Sequence, residues 1–304
     1  MKFIGFLLLM ASSFVFAGDF NNGKLVIDEL PGTALPKNFR TTRDPFTLSL
    51  NRALPRIGLE NLNISASGQF SLSSIQILKK YSSLIWIVDL RRESHGFVNE
   101  IPISWYFEKN KSNENLSCQE VEVKEKEKLL ALAQEKNIQL QEILKKQSGH
   151  IQKTRLHSLI VKKVVSEKEL TSTLGWQYLR LPVLDHHAPD EEVIETFIVF
   201  VKQLPSNSWV HFHCRAGRGR STLFMVLYDI LKTASSLSLD DIVARHHALG
   251  GSNLLNLPLS SEKAWKKEAF SARHQFLENF YRYATAANGY QNGRSWKEWQ
   301  AQST

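Results

Sequence analysis

The segment Trp209 to Phe224, WVHFHCRAGRGRSTLF, constrains the fold more than any other part of the chain. An apolar, β-prone run ends at Cys214, a loop carrying Gly217 and Gly219 follows, and an apolar helix begins near Arg220. A strand that passes through a glycine loop straight into a helix cradles an anion. The loop N–H groups point inward, and the helix N-terminus adds positive potential. Two nucleotide-binding patterns compete for these residues and both fail. A phosphate loop of the Walker type requires Gly-Lys-Ser/Thr, and no Lys is present. A dinucleotide fingerprint requires a third glycine where Thr222 stands.

The remaining elements fit an α/β chain. Ser83 to Leu90 (SLIWIVDL) is an apolar run suited to a buried parallel strand, and Asp89 to Phe97 (DLRRESHGF) crowds charges into the loop after it. Trp176 to Val183 and His157 to Val165 also read as strands. Val123 to Lys146 reads as a solvated helix with alternating charges, supported by the Glu142–Lys146 spacing. Helices are expected from Pro189 to Leu204, Ser221 to Thr233, Leu239 to Leu249 and Glu262 to Ala286. The last has an apolar stripe of Trp265, Ala269, Ala272, Phe276, Phe280 and Tyr283. Residues 19–60, with four prolines and little periodicity, read as an irregular lead-in. Alternating strands and helices argue an α/β domain.

At 304 residues, 42% hydrophobic and 22% charged, the chain can bury a large core and is not a disordered or low-complexity protein. Lys2 followed by the apolar run Phe3 to Phe16, with Val15 and Ala17 before Gly18, predicts a cleaved export signal over residues 1–17. That run is shorter than the roughly 20 residues of a spanning helix. No other stretch is long enough to span, so periplasmic or secreted location is expected, with no membrane span in the mature chain. The net charge is +8, and cleavage would leave +7, which suggests an anionic partner. Nucleic acid is not indicated, because no dedicated motif or repeated basic stripe accompanies the charge. Two cysteines, Cys118 and Cys214, cannot form a disulfide framework.

Cys214 at a strand end, facing loop amides and a helix N-terminus, has the surroundings that lower a thiol pKa and make a nucleophile. Arg220 can grip two phosphoryl oxygens as charge shifts between them in the transition state. Ser221 can donate to the sulfur when it leaves. Asp185, in the loop between a strand and the helix at Pro189, can protonate the departing oxygen and then activate water. The bland alternatives are an inert buried cysteine and a helix-capping aspartate. Asp185 is too far upstream of the helix to cap it.

The loop His213-Cys214-Arg215-Ala216-Gly217-Arg218-Gly219-Arg220-Ser221 resembles the phosphate-binding loop of cysteine-dependent protein tyrosine phosphatases. Further segments resemble a narrower group, the bacterial protein-tyrosine-phosphatase-like inositol polyphosphatases, or cysteine phytases. They are Asn38-Phe39-Arg40-Thr41, Asp89-Leu90-Arg91 with Glu93-Ser94-His95-Gly96, Ser104-Trp105-Tyr106, Asp185-His186, Arg245-His246-His247, Phe280-Tyr281-Arg282-Tyr283 and Ser295-Trp296 with Trp299. The resemblance covers about residues 30–300. It implies a tyrosine-phosphatase-like α/β core, a mainly parallel sheet flanked by helices, with a small partial β-barrel. Residues 91–170 would hold the barrel region, 18–90 the lead-in and first core strand, and 171–304 the loop and C-terminal helices.

The resemblance also implies stepwise hydrolysis of inositol polyphosphates without metal or other cofactor. Cys214 matches the family nucleophile, Arg220 the phosphate-binding arginine and Asp185 the general acid. His186 and Asp89 match pocket-lining residues, Arg40 matches a rim cation, and Lys263 and Lys266 fall where the family places lysines near substrate. Arg215 and Arg218 occupy loop positions where many relatives carry an acid or apolar residue. With Arg220 they would favour a substrate bearing several phosphates.

The alternatives are an exported tyrosine, dual-specificity or phosphoinositide phosphatase, and a pseudophosphatase that only binds polyanions. The second is disfavoured because Cys214, Arg220 and Asp185 are all present. The His186-His187 and His246-His247 pairs lack zinc-site spacing. Phosphatase activity is therefore expected to be unchanged by a chelator; loss that zinc or calcium restores would contradict this reading.

Overall fold

The computed structural model describes residues 23–32, 34–48, 52–256 and 261–303. The expected export signal, residues 1–17, lies outside the described residues.

The strands in chain order are β1 (Lys24–Ile27), β2 (Arg40–Thr41), β3 (Ile64–Ser67), β4 (Ile85–Arg91), β5 (His95–Val98) and β6 (Ile101–Tyr106). They continue with β7 (Asn137–Gln147), β8 (His150–Ile160), β9 (Val164–Val165), β10 (Gln177–Val183) and β11 (Trp209–His213). The helices are α1 (Cys118–Ala133), α2 (Glu167–Thr173), α3 (Glu191–Gln203), α4 (Gly219–Thr233), α5 (Leu239–Ala248), α6 (Lys267–Thr285) and α7 (Trp296–Ser303). Among the described residues no helix is long and apolar enough to cross a membrane.

One sheet has the order β10-β4-β11-β3-β2, and every pairing in it is parallel except β2 with β3. Side chains alternate across β4. Val88 and Leu90 face a core completed by Phe197 of α3 and by Phe224 and Leu227 of α4, whereas Ile85 and Ile87 face Phe70, Leu78 and Trp176. Covered on both faces, β4 is apolar from Ile85 to Val88 and β11 opens on Trp209 and Val210, which is why they are visible in the sequence. Their C-terminal ends lie together and carry the loops at Glu93, Asp185 and Cys214.

The second sheet, β8-β7-β1-β6-β5-β9, is antiparallel except where β1 meets β7. Leu25, Ile103, Trp105, Ile138 and Leu140 pack beneath Leu129 and Leu132 of α1. Among the described residues the sheet does not close into a barrel.

Several sequence expectations shift. The helix expected over Val123–Lys146 is α1 followed by strand β7. Ser117 and Glu120 form a reciprocal cap that starts α1 at Cys118. After Ala133 the pattern changes to alternation, with Ile138 and Leu140 buried. Pairing with β8 then overrides the helical propensity of the Glu/Lys/Gln-rich stretch. Ser148 and Gly149, both at positive φ, turn the hairpin. Glu142 consequently meets Arg155 and His157 across the strands, not Lys146 along a helix.

The strand expected over His157–Val165 begins earlier and is interrupted, giving β8 and β9. The lead-in contains β1 and β2, which are too short to leave a periodic signature. Residues 261–266 form a 3₁₀ turn ahead of α6, and Ala272 is exposed, so the buried stripe runs through Ala269, Arg273, Leu277, Phe280 and Tyr283.

Phe197 joins α3 to the sheet and α4, with ring centroids 6.3 Å from Phe212 and 5.1 Å from Phe224. Phe197→Ala is expected to lower unfolding free energy by about 3–5 kcal/mol, measured by urea denaturation; a loss below about 1 kcal/mol would contradict this packing.

Candidate active site

The loop between β11 and α4 is tied down through its carbonyl groups. The Arg215 carbonyl accepts from the Gln69 N–H at 3.2 Å and the Ala216 carbonyl from Asn38 Nδ2 at 2.8 Å. The Gly217 carbonyl accepts from Arg40 Nη1 at 2.7 Å and the Arg218 carbonyl from the Thr222 N–H at 3.1 Å. Within a trans peptide the N–H points opposite to the C=O. Anchored to the surrounding fold, these carbonyls fix the peptide planes of the loop. The N–H groups of residues 218 and 219, opposite the carbonyls of Gly217 and Arg218, turn toward the concavity at Cys214, and a bridge between Gly68 and Ala216 ties the middle of the loop to the end of β3.

Gly217 allows this turn. Its φ is +69°, and a Cβ there would stand 2.3 Å from the Gly68 nitrogen and 2.4 Å from the Ser67 carbonyl carbon. Arg40 is a strut of the same loop. It is buried and also donates to Thr222 Oγ1 at 2.8 Å. Burial, with Arg218 nearby, pushes its pKa down to about 10. The expectation of Arg40 as a rim cation is corrected: a guanidinium with these backbone partners sits under the loop, not at its mouth.

Cys214 is buried at the floor, and Ser221 Oγ lies 3.1 Å from its sulfur while also reaching the Ser67 carbonyl at 3.1 Å. Arg220 is gripped bidentately by Glu93, the stronger form of such a pair. Its Nη1 lies 2.7 Å from Oε2 and its Nη2 lies 2.9 Å from Oε1, and it also donates to the carbonyls of Leu90 and Val183. Burial alone would raise the Glu93 pKa, but Arg220 and Arg91 hold it well below the usual carboxylate range.

Asp185 stands 3.5 Å from Arg220 Nη2 and accepts from Asn110 Nδ2 at 3.0 Å. Burial raises its pKa; Arg220 and His186 outweigh that and leave it lowered. His186, at φ +74°, packs edge-on against Trp265 with ring centroids 5.2 Å apart. Burial, with help from Lys266, Arg220 and Arg273, pushes its imidazole down to about 4, so it is neutral at pH 7.

Above the loop opens a cavity of about 300 Å³. Asp185 is the one carboxylate among its lining residues, whereas Lys109, Lys146, Arg215 and Lys266 all face it. Lys146 reaches it from the end of β7, its Nζ 4.0 Å from the centre of the Tyr106 ring. Burial and the neighbouring Arg215 push its pKa down to about 7. Arg218 is exposed and donates to the Gly250 carbonyl at 3.2 Å.

The expected site residues thus separate into groups. Asp185, His186, Arg215, Ala216 and Lys266 line the cavity, and Cys214, Ser221 and Arg220 are buried next to them, Arg220 reaching Asp185 and Ser221 reaching Cys214. Gly217 shapes the loop, Gly219 is the first residue of α4, and Lys263 lies in the 3₁₀ turn whose side chains at 261–263 are outside the described residues.

Asp89 is corrected. It has no exposed surface, accepts from the Tyr178 hydroxyl and the Arg91 N–H, each at 2.9 Å, and lies 3.3 Å from Arg180. It therefore lies within the sheet instead of lining the pocket. His213 joins the same layer, with Nε2 2.6 Å from Glu167 Oε1. Asp89, Glu167 and His213 converge closely enough to hold a metal ion. Cations already serve both acids, however: Arg180 lies 3.3 Å from Asp89, and His95, which Asp89 and Glu125 raise to about 10 against burial, lies 3.2 Å from Asp89 and 3.6 Å from Glu167.

Sequence reasoning gives no place in the site to Glu93, Tyr106, Lys109, Asn110, Lys146 or Trp265; it puts Trp265 in the apolar stripe of the last helix, whereas Trp265 lines the cavity beside His186. Reading residues 123–146 as a helix conceals Lys146. Asn110 depends on positive φ at Lys109 and Asn110, which no local pattern signals.

A family model for protein-tyrosine-phosphatase-like phytases, described by the words inositol hexakisphosphate, matches residues 88–232. The solved tandemly repeated phytase of this type from Mitsuokella multacida is 30% identical, with a TM-score of 0.83, covering 94% of this chain and 50% of that one. A structure of the myo-inositol phosphatase from the same organism, also 30% identical with a TM-score of 0.83, contains myo-inositol-(1,3,4,5)-tetrakisphosphate; the match covers 92% of this chain and 49% of that one. The phytase of this type from Bdellovibrio bacteriovorus is 32% identical with a TM-score of 0.70, covering 91% of this chain and 94% of that one. Among curated proteins, the effector protein hopD2 of Pseudomonas syringae pv. tomato is 29% identical over 91% of this chain and 59% of its own length. The chain thus spans between half and three-fifths of the Mitsuokella phytase and of hopD2.

The loop geometry leaves no room for a side chain at Gly217. Gly217→Ala is expected to abolish binding of inorganic phosphate or tungstate while the far-ultraviolet circular dichroism of the fold persists. Wild-type oxyanion affinity in that variant would contradict the inward-facing amides.

Proposed function

The chain belongs to the protein-tyrosine-phosphatase-like phytase family, and from that premise we propose that it hydrolyses phosphomonoesters of myo-inositol polyphosphates through a phosphocysteine on Cys214. The carrying observation is the cavity beside the phosphate loop, walled by Arg215 and Ala216 of that loop, in which Lys109, Lys146, Arg215 and Lys266 face a single carboxylate, Asp185. A substrate with one phosphate would satisfy the loop and make no use of those cations. A ring bearing several phosphates engages them together.

The Cys214 thiolate attacks phosphorus in line with the ester oxygen. As the P–O bond breaks, Asp185 gives its proton to the departing ring oxygen. The loop N–H groups and Arg220 hold the three equatorial oxygens. Water then attacks the phosphocysteine and its proton passes to the Asp185 carboxylate. The S–P bond breaks with Ser221 donating to the returning thiolate, and inorganic phosphate departs. Glu93 fixes the plane of Arg220, so the guanidinium does not reorganise during transfer.

Asp185 must be protonated at the first step, although Arg220 and His186 hold its pKa down in the free protein. A phosphate dianion beside Arg220 offsets that cation and raises the Asp185 pKa in the complex. Activity is therefore expected on the acid side of neutrality, falling as rising pH removes this proton. Export through residues 1–17 is part of the same reading, supported by the short apolar run after Lys2.

Asp185→Asn is expected to lower kcat on inositol hexakisphosphate by about 10²–10⁴-fold and to flatten the loss of activity at higher pH. An unchanged kcat would remove Asp185 from this role. Far more efficient turnover of a phosphotyrosyl peptide than of inositol hexakisphosphate by the wild-type chain would overturn the substrate assignment in favour of a protein phosphatase.

A further inference from the structure

Asp28 follows β1, comes from the sheet that does not carry the phosphate loop, and has no exposed side-chain surface. Its Oδ1 accepts from Arg215 Nε at 2.7 Å and Ser104 Oγ at 2.9 Å, and its Oδ2 accepts from Arg91 Nη1 at 2.9 Å. Burial pushes its pKa up, yet Arg91 and Arg215 outweigh that and keep the carboxylate ionised.

The contact to Arg215 is made through the inner nitrogen. Among the described residues the two terminal nitrogens of Arg215 donate no hydrogen bond, and the guanidinium lies 5.2 Å from the centre of the Tyr106 ring. Arg215 lines the cavity beside the phosphate loop and also the adjoining groove, where Lys37, Lys145 and Lys146 stand with Glu29 and Glu142. An arginine on a loop ordinarily loses much rotamer freedom when a ligand immobilises it. Here Asp28 and Tyr106 have already fixed the side chain, with its fork left open.

We propose that Asp28 is a positioning residue for substrate selection: it aims the terminal nitrogens of Arg215 at a second phosphate of a substrate whose first phosphate occupies the loop at Cys214. This inference rests on the function proposed above and assigns its preference for polyphosphorylated rings to one buried carboxylate. A purely structural role would act along the other branch. Asp28 holds Arg91, Arg91 Nε meets Glu93 Oε1 at 3.0 Å, and Glu93 grips Arg220. Damage along that branch would reach the transferred phosphoryl group and reduce activity on every substrate alike. The Arg215 branch affects only substrates with a further phosphate.

The test compares wild type, Asp28→Asn, Arg215→Met and the double variant in the full chain, on inositol hexakisphosphate and on p-nitrophenyl phosphate. Asp28→Asn is expected to raise KM for inositol hexakisphosphate by about tenfold, with kcat on it and kcat/KM for p-nitrophenyl phosphate each changed by less than about threefold. In the Arg215→Met background the Asp28 substitution should add nothing to the ratio between substrates. Equal losses on both substrates, or an undiminished effect in the double variant, overturn the proposal.

A calorimetric titration of the Cys214→Ser protein, with and without Asp28→Asn, reads the same coupling without turnover. Selective weakening of inositol hexakisphosphate over inorganic phosphate supports it even if the wild type does not hydrolyse the former, and equal weakening refutes it. If Asp28→Asn does not fold, Arg215→Lys keeps the charge and Asp28 but removes the anchored fork. It is expected to bind inositol hexakisphosphate as weakly as Arg215→Met, and wild-type affinity would refute the proposal.

Discussion

The bidentate pair between Arg220 and Glu93 governs the arrangement of the site. Both groups are almost wholly buried, and the idealised cost of withdrawing either charge from water alone is many kcal/mol. The pair is tolerable because each partner has others. Arg220 also meets two carbonyls and Asp185, and Glu93 also meets Arg91 and Asn110. Removing one member would leave a buried charge uncompensated, so the loops after β4, β10 and β11 must assemble as a unit. The parallel order of these strands makes that possible, since it brings their C-terminal ends to one edge.

The charges extend outward in alternating sign. From Asp185 the order runs through Arg220, Glu93, Arg91 and Asp28 to Arg215, which lies at the cavity wall. A second layer, in which Asp89, His95, Arg180, Glu125, Glu167 and His213 meet, lies within the fold beneath the loop. The two layers do different work. In the buried one, acids and bases pair with one another and fix the β11 end from which the loop departs. The outer one ends in cations that line the cavity where a ligand's charge would arrive: Arg215, Lys109, Lys146 and Lys266.

Much of this is readable in the sequence, for a physical reason. Strands covered on both faces are rich in apolar and aromatic residues, so β4, β10 and β11 are evident, and Asp185, Cys214 and Arg220 come soon after such segments. Residues whose roles depend on what another element does to them are not readable. Arg40 and Asp89 are a basic and an acidic residue beside motifs, and only tertiary packing determines that both are buried struts. Lys146 reads as helical because its neighbours are good helix formers. The hairpin forms instead because Ile138 and Leu140 bury against α1, a gain that local propensity of a few tenths of a kcal/mol per residue cannot match. Asp28 is one acid in a segment without periodicity, and nothing local indicates that two arginines more than sixty residues away converge on it.

The separation of roles bears on how such a site can change its substrate while keeping its reaction. Cys214, Arg220 and Ser221, to which the proposed reaction assigns the transferred phosphoryl group, are tied to one another and to Glu93 through buried contacts, so substitution there disturbs the whole edge of the sheet. Arg215, Lys109, Lys146 and Lys266 come from the loop, the segment after β6, the tip of the β7–β8 hairpin and the turn before α6. Apart from Arg215, they lie on elements separate from the loop that holds the nucleophile. They can therefore be replaced without moving Cys214. Arg215 is the exception, because it is a member of the phosphate loop that faces the outer ring of charges. Its anchor had to come from outside the loop's own sheet, and Asp28 supplies it from the end of β1, coupling the variable wall of the cavity to its fixed floor.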